Sequence, residues 1–456
     1  MTGNRSITFG LLVLDVAASV AVFNLLSYIR GLGGAEHLMV FPLLAPIAAI
    51  LLSIYLVEGY QARTDMLSLD YTSQHTIALI GAMLFTLLLT YVFIPPGFEL
   101  QSSRFVIALG FLAVIPLTLA YRRLIYLRIA ASRGVRSLVF LGDPDSCGVF
   151  REECRKTGTV QPVIYSTAVP SSERSPGGSG GEPMRPFRDV LDDMQHGRVA
   201  VEAIILRESA SELPSEVSQQ LVQLYFRGVP TYTLELFHQV YWKKIPLYRL
   251  NQTWLFQEGF QIAREPVFER LKRMSDVTLS ILGLTLAAPL IVLGALAIWL
   301  EDRGPVFFVQ RRIGKNHVPF QLLKLRTMRP GGGDLYTQPG DARITRVGGL
   351  LRATRLDELP QLWNVLRGEM SLIGPRAEWD RLVQDYEREI PCYYFRHLVK
   401  PGITGWAQVN YPYGANVEDT ERKLEYDLYY IRHFSFLLDA SIVLKTIHIM
   451  LFGKGR

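Results

Sequence analysis

Cysteine is nearly absent: the 456 residues contain three, Cys147, Cys154 and Cys392. Three thiols cannot build a disulfide framework, and no His/Cys cluster shows zinc spacing, so nothing points to an oxidising compartment. Charge is sparse as well, at 20% of residues against a usual ~25%. Hydrophobic residues make up 49% and the mean hydropathy is positive. This composition excludes a disordered or fibrous chain and argues against an all-soluble one. The length leaves room for roughly three domains. No helix-turn-helix or RNP pattern accompanies the net charge of +6, so no nucleic-acid partner is expected.

What the chain has instead is long apolar runs, at about 7–29, 38–57, 76–96 and 105–121. Each approaches the ~20 residues a helix needs to cross a bilayer. A signal peptide would be shorter and would not be followed by three more runs. Four N-terminal transmembrane helices are therefore expected. Residues 1–121 hold 4 Lys+Arg against 6 Asp+Glu, whereas Arg122, Arg123, Arg128, Arg133 and Arg136 come directly after the fourth run. The positive-inside rule places the chain beyond residue 121 on the cytoplasmic side, and four spans return the N-terminus there. Asp15, inside the first run, receives no role.

The middle of the chain reads as α/β. Ser137–Gly142, Val199–Leu206 and Arg227–Thr233 have strand character with helical stretches between them, as in a small parallel sheet. Gly142-Asp143-Pro144-Asp145-Ser146-Cys147-Gly148 closes the first strand, but it lacks the second glycine of a dinucleotide fingerprint and places aspartates where phosphate would sit. An assembly or regulatory domain is expected, with a flexible Ser/Gly/Pro-rich insertion at 170–186.

A fifth apolar run, Val277–Leu300, is long enough to span. Basic residues flank it on both sides: Arg270, Lys272 and Arg273 before it, Arg303, Arg311, Arg312 and Lys315 after it. Ala288-Pro289 stands at its midpoint. The residues leave two readings open: a simple transmembrane helix, or, given like charge at both ends and a mid-run proline, a re-entrant helix over 270–300 that breaks at Ala288 and Pro289, with Ser280 or Thr285 satisfying the freed carbonyl.

Between Glu301 and Leu356 stand 11 basic and 4 acidic residues. Arg312 lies in Gln310-Arg311-Arg312-Ile313-Gly314, and Lys324 and Arg326 lie in Lys324-Leu325-Arg326-Thr327-Met328. Arg352 precedes Arg355-Leu356-Asp357-Glu358-Leu359-Pro360, and Arg376 lies in Gly374-Pro375-Arg376. A period of two aims Lys324 and Arg326 at one strand face. Arginine forks onto phosphate oxygens, and carboxylates hold Mg²⁺, so basic residues beside the Asp357–Glu358 pair suit phosphate chemistry. The duller readings are a solvated strand face for Lys324 and Arg326, and an N-cap role for Asp357 ahead of the stripe Leu359, Leu362, Trp363 and Leu366.

In order along 268–456, the blocks QRRIG, KLRTM, LRATRLDELPQLWNVLRGEMSLIGPR and KPGITGWAQV resemble the bacterial sugar transferase domain of polyprenyl-phosphate phosphoglycosyl transferases. With four spans and an α/β insert, the chain is similar to the large polytopic members, and YPYGA after the last block is similar to the exopolysaccharide branch. The resemblance implies an α-helical membrane protein with three parts. These are a four-helix transmembrane region (1–121), a cytoplasmic Rossmann-like α/β domain (122–262) and an α-rich catalytic domain (263–456) with the re-entrant helix. It implies transfer of a hexose 1-phosphate from a UDP-sugar to undecaprenyl phosphate with release of UMP. Asp357 matches the nucleophile and Glu358 the adjacent acid, a ligand for Mg²⁺ or a base. Arg352 matches a phosphate-holding arginine, and Lys324, Arg326, Arg376 and Arg312 are further phosphate or nucleotide contacts. Glucose or galactose is the expected sugar, N-acetylated sugars the alternative.

The location implied is the inner membrane, catalytic domain on the cytoplasmic face, and a homodimer is expected from a middle domain without catalytic pattern. Two departures stand out: Ala288-Pro289 where the family commonly has Ser-Pro, and Gly374-Pro375-Arg376-Ala377 where it has G-P-R-P. Trp299, Tyr393, Tyr394, Phe395 and Trp406 could seat the domain at headgroups or fill its core. The rival reading, a membrane-anchored scaffold gripping anionic lipid, leaves adjacent carboxylates in a basic patch without a purpose.

Overall fold

A computed structural model describes residues 2–31, 43–60, 64, 66–92, 104–132, 136–159, 161–168, 184–207, 213–247, 266–329, 341–411, 414 and 416–452. The chain divides into two compact units, Met1–Arg133 with Ser435–Phe452, and Gly134–Phe434 with the four residues after 452.

The first unit is helical: α1 (Thr2–Ile29), α2 (Leu44–Leu56), α3 (Leu69–Val92) and α4 (Arg104–Ser132), with α15 (Phe436–Phe452) packed on α3. Helices apolar all round suit lipid. Phe23, Ile50, Leu79, Ile107 and Phe111 fill the interior, while Leu25, Leu84, Leu88 and Leu112 remain exposed. In α1, α3 and α4 the apolar stretch is long enough to cross a bilayer. The second expected span differs. Of 38–57, residues 38–42 lie outside the described set, and α2 has 13 residues, about 20 Å of helix against ~30 Å of hydrocarbon.

Asp15 does have a partner. It is fully buried, and Arg122 donates to both its oxygens at 2.6 Å, joined by the hydroxyls of Tyr60 (2.6 Å) and Tyr121. Hydrocarbon offers no hydrogen bonds, so a charge in this bundle must be paired within it. Arg122 is therefore consumed inside the bundle, and Arg123 donates to Thr72 Oγ1 at 2.7 Å. The fourth helix runs to Ser132, so the apolar unit extends past residue 121.

The second unit begins with a five-stranded parallel sheet of order β3-β2-β1-β4-β5. Its strands are β1 (Ser137–Leu141), β2 (Val163–Thr167), β3 (Arg185–Pro186), β4 (Val201–Leu206) and β5 (Thr231–Thr233). The connecting helices are α5 (Pro144–Thr157), α6 (Phe187–Gln195) and α7 (Ser215–Phe226), with the short α8 (Leu234–Phe237) after β5. Val139 and Leu141 pack on one face of the sheet, Leu138 and Phe140 on the other, so the central strand is apolar throughout. The expected insertion at 170–186 falls outside the described residues up to 183, and its last two residues form edge strand β3. Asp143 caps α5, accepting from Ser146 N at 2.8 Å, and pairs with Arg207. A carboxylate thus takes the helix terminus that a nucleotide phosphate would need.

The remainder is built on α9 (Pro266–Asp302) and the antiparallel hairpin β6 (Phe307–Ile313) with β7 (Pro319–Leu325). Around them lie α10 (Arg346–Thr354), α11 (Gln361–Arg367), α12 (Asp380–Glu389), α13 (Trp406–Asn410) and α14 (Val417–Arg432). Strands β8 (Ser371–Ile373) and β9 (Gly402–Thr404) pair in parallel.

Contrary to the expected break, Ala288 and Pro289 lie within an uninterrupted α9. Packing on both sides of the proline accounts for this. A Cβ on Gly283 would sit 3.2 Å from Leu362, and one on Gly294 3.1 Å from Leu325, while Ala287 and Ile298 are buried. Thr285 donates to Ile281 O at 2.8 Å, and Ser280 Oγ is buried without a partner, so neither hydroxyl answers the freed carbonyl. Both ends of α9 are fixed to the same domain. Arg273 donates to the carbonyls of Val365 (2.5 Å) and Leu366 (2.6 Å), and Asp276 accepts from Ser371 Oγ and Leu372 N. At the far end Glu301 accepts from Arg346 N at 2.9 Å, and Asp302 pairs with Arg326. After running back along β6, the chain places Lys315 2.5 Å from Glu269 at the start of α9. The opposite face, Leu279, Leu282, Leu286, Leu290, Leu293 and Leu300, is uncovered. Of the aromatic residues left open between headgroup layer and core, Trp299 and Tyr394 are exposed, whereas Tyr393 and Trp406 are core.

Candidate active site

The carboxylate pair sits on a 3₁₀ turn, Leu356–Glu358, between α10 and α11. Arg355 turns the chain there with φ 60°, in the left-handed region, and Leu356 packs with Ile298, Leu325 and Leu351 beneath. Helix α11 starts only at Gln361, and Asp357 makes no capping bond, so the N-cap reading does not hold. Asn364 on α11 accepts from Leu323 N at 3.0 Å and donates to Gln321 O at 2.7 Å. That clasp sets β7 beside the turn and brings Lys324 Nζ to 2.7 Å from Glu358 Oε1.

Asp357 is 8% exposed, and among the described residues no cation forms an ion pair with it. Burial and the Glu358 charge push its carboxyl above the ordinary Asp value, against the pull of Lys324 and Arg352. Burial also works against the Glu358 charge, but Lys324 and Arg376 outweigh it and hold that carboxyl down at about 2. Burial in turn lowers the Lys324 ammonium, only partly offset by Glu358. Two adjacent carboxylates thus stand in different electrostatic states, one firmly ionised, one poised.

Arg352 projects from α10 and is steadied by Thr327, its Nε donating to Oγ1 at 2.8 Å. Arg376 lies where β8 meets β9, bridged to Gly402, and its carbonyl accepts from buried Arg396 at 3.0 Å. Arg396 is held by Asp427 (2.9 Å) and Tyr393 Oη (2.6 Å).

The structure therefore gathers Asp357, Glu358, Lys324, Arg352 and Arg376. Two expected members stand apart. Strand β7 ends at Leu325, so Arg326 leaves the Lys324 face and pairs with Asp302. Arg312 donates to Ala377 O (3.0 Å) and Gln310 Oε1 (2.6 Å), bracing the loop after Arg376. Thr327, Asn364 and Arg396 received no role from sequence. The first lies inside the KLRTM block, whereas the Arg396–Asp427 pair joins positions too distant for spacing to reveal.

The arrangement offers phosphate three cations around a semi-buried carboxylate. For a metal, Asp357 and Glu358 supply only oxygen donors, the hard set that Mg²⁺ takes alongside substrate phosphates. One Glu358 oxygen is held by Lys324, and the other lies 3.9 Å from Arg355.

Residues 267–453 match the sequence profile of the bacterial sugar transferase family. The chain is 38% identical over 269 residues, 58% of its length and 63% of the relative's, to a UDP-N-acetylgalactosamine-undecaprenyl-phosphate N-acetylgalactosaminephosphotransferase of Aeromonas hydrophila. It is 48% identical over 181 residues, 39% of its length and 68% of the relative's, to a UDP-glucose:undecaprenyl-phosphate glucose-1-phosphate transferase of Caulobacter vibrioides. With the uncharacterized sugar transferase EpsL of Bacillus subtilis the identity is 42% over 192 residues, 41% of this chain and 89% of the relative. The chain thus spans somewhat less than two thirds of the Aeromonas relative.

Proposed function

The chain belongs to the bacterial sugar transferase family, and from that premise we propose that it moves a sugar 1-phosphate from a UDP-hexose onto undecaprenyl phosphate, releasing UMP. The observation that carries the reading is the poised Asp357 carboxylate beside Glu358, with Lys324, Arg352 and Arg376 around it. A headgroup-binding scaffold has no use for a semi-buried carboxylate inside a basic patch.

In the first step an Asp357 oxygen attacks the β-phosphorus of the UDP-sugar. The bond to the bridging oxygen breaks, UMP departs, and an aspartyl phosphosugar forms. In the second, an oxygen of undecaprenyl phosphate attacks the same phosphorus and frees the Asp357 carboxylate, giving undecaprenyl-diphosphate-sugar. A carboxylate nucleophile divides one hard displacement into two easier ones and predicts ping-pong kinetics. Arg352 and Arg376 neutralise charge on the transferring phosphoryl, while Lys324 keeps Glu358 ionised and aligned. Mg²⁺ held by Asp357 and Glu358 would neutralise diphosphate charge on the leaving side. The relatives named for glucose and N-acetylgalactosamine make UDP-glucose and UDP-N-acetylgalactosamine the first donors to test.

The test is UMP release by the detergent-solubilised protein, with a donor panel and with or without undecaprenyl phosphate. Lipid-dependent release from one donor, reduced at least about 10⁴-fold in Asp357→Asn, is the expected result. An active Asp357→Asn would return the headgroup-binding reading.

The apolar face of α9 supports a place for this domain on the membrane. A crossing helix clasped along its length would draw Arg352, Lys324 and Glu358 into hydrocarbon, at a cost of several kcal/mol per charge. We therefore place α9 in the cytoplasmic leaflet with both ends on one side. Single cysteines at Arg270 and Arg303, probed with an impermeant maleimide in inverted and right-side-out vesicles, should label together in inverted vesicles. Labelling from opposite sides would mean a true span.

A further inference from the structure

Far along the sequence from the carboxylate turn, three side chains from three elements converge. His317 lies in the turn joining β6 to β7, Glu387 on α12, and His397 in the 3₁₀ segment Tyr393–Leu398. His317 Nδ1 is 3.4 Å from Glu387 Oε1, and the two imidazole rings are 4.7 Å apart. One ring nitrogen from each histidine and a Glu387 oxygen all lie within 4.8 Å of one another. Adjacent histidines beside a surface glutamate can be ordinary packing, but one atom resists that account. His397 is 6% exposed and its Nε2 is buried with no hydrogen-bond partner. A ring nitrogen buried without a partner is a polar atom that a bound metal ion would satisfy.

We propose that His317, Glu387 and His397 form a divalent transition-metal site, suited to Zn²⁺, with water completing a tetrahedral shell. Two imidazole nitrogens and one carboxylate favour zinc over magnesium or calcium, which take oxygen donors. The ligands are spread from 317 to 397, which is why no compact His/Cys spacing announces them. Bound metal would staple the hairpin turn to α12 and to the segment carrying Arg396, which holds the Arg376 carbonyl.

The experiment takes the full chain in detergent, stripped with chelator, and titrates it with Zn²⁺ and with Co²⁺, whose visible absorption reports coordination number. Metal content is read by mass spectrometry and unfolding temperature is followed in parallel. One zinc per chain is expected, with four-coordinate cobalt spectra and a saturable rise in unfolding temperature. His317→Ala and Glu387→Gln should each weaken binding at least about 10-fold, while Asp357→Asn/Glu358→Gln leaves it intact. Because both altered side chains are partly exposed, these variants test the site without depending on a replacement for buried His397. No binding at micromolar zinc, unchanged binding in His317→Ala, or binding lost only in the Asp357/Glu358 variant would each overturn the site.

Discussion

Asp357 and Glu358 are neighbours in sequence, yet the fold pushes their acidities apart. Glu358 has Lys324 against one oxygen and Arg376 nearby; Asp357 has burial and the Glu358 charge. On the proposed mechanism an acid limb in the pH profile of UMP release should belong to Asp357, since protonation would remove its nucleophilic carboxylate. It should lie above the ordinary ~3.9 of an aspartate. Glu358→Gln removes the neighbouring negative charge and should move that limb to lower pH while slowing turnover. An unmoved limb would assign it elsewhere. The alkaline limb should come from Lys324, whose ammonium burial lowers, and Lys324→Arg should push it upward because guanidinium stays protonated. At this scale adjacency made part of the cluster legible: the Asp357–Glu358 pair and Arg352 are close in sequence, and the fold brings them together. It failed at Arg326. Period-two spacing points a side chain only while the strand continues, and β7 stops one residue earlier.

Helix α10 shows how tightly an element must sit for the site to exist. Thr345 caps it, accepting from Gly348 N at 2.9 Å, and a Cβ at Gly348 would collide with the Thr327 carbonyl. Gly348→Ala should therefore lift α10 away from Thr327, which also steadies Arg352. Loss of about 1–3 kcal/mol of stability with most of the UMP release is expected. Gly349 faces open space, and Gly349→Ala should instead stabilise by about 0.5–1 kcal/mol. Thermal unfolding of the two variants side by side checks the contrast. Elements were legible from sequence in proportion to how local their causes are. Of the five parallel strands, β1 starts at its expected residue, β4 two residues later and β5 four residues later, because an apolar strand bounded by turns carries its own signature, whereas β2 and β3 had no expected counterpart. The unbroken α9 was not legible, because Pro289 argues locally for a break and distant Leu325, Leu351 and Leu362 hold the helix together. Nor was α15, whose 17 residues fall short of a span and carry Asp439 and Lys445, both buried within the bundle.

Across the whole molecule, the parallel-sheet domain is not a loose appendage of the catalytic part. Lys244, after α8, is buried between Glu153 on α5 (2.6 Å) and Glu425 on α14 (3.1 Å), and Arg422 reaches Glu153 at 2.5 Å. Burial opposes the Glu153 charge but the two cations win; at Glu425 burial prevails and its carboxyl is raised. Lys244→Met leaves two buried carboxylates short of a cation, a loss of about 3–5 kcal/mol. Hydrogen exchange at Ile245, whose amide bonds to Glu425 O, should accelerate by roughly 10² or more. Unchanged exchange there would mean the junction is held by packing alone. The membership of α15 in the first unit bears on biosynthesis. Between Arg133 and Ser435 the ribosome must make about 300 residues, Gly134–Phe434, which at ~5–20 residues per second takes roughly 15–60 s. For that interval the α3 surface awaiting α15 has no partner from its own chain. Neighbouring lipid, an insertion chaperone or another nascent chain can occupy it first, so the translation speed of the intervening segment helps decide how much correctly assembled bundle a cell obtains.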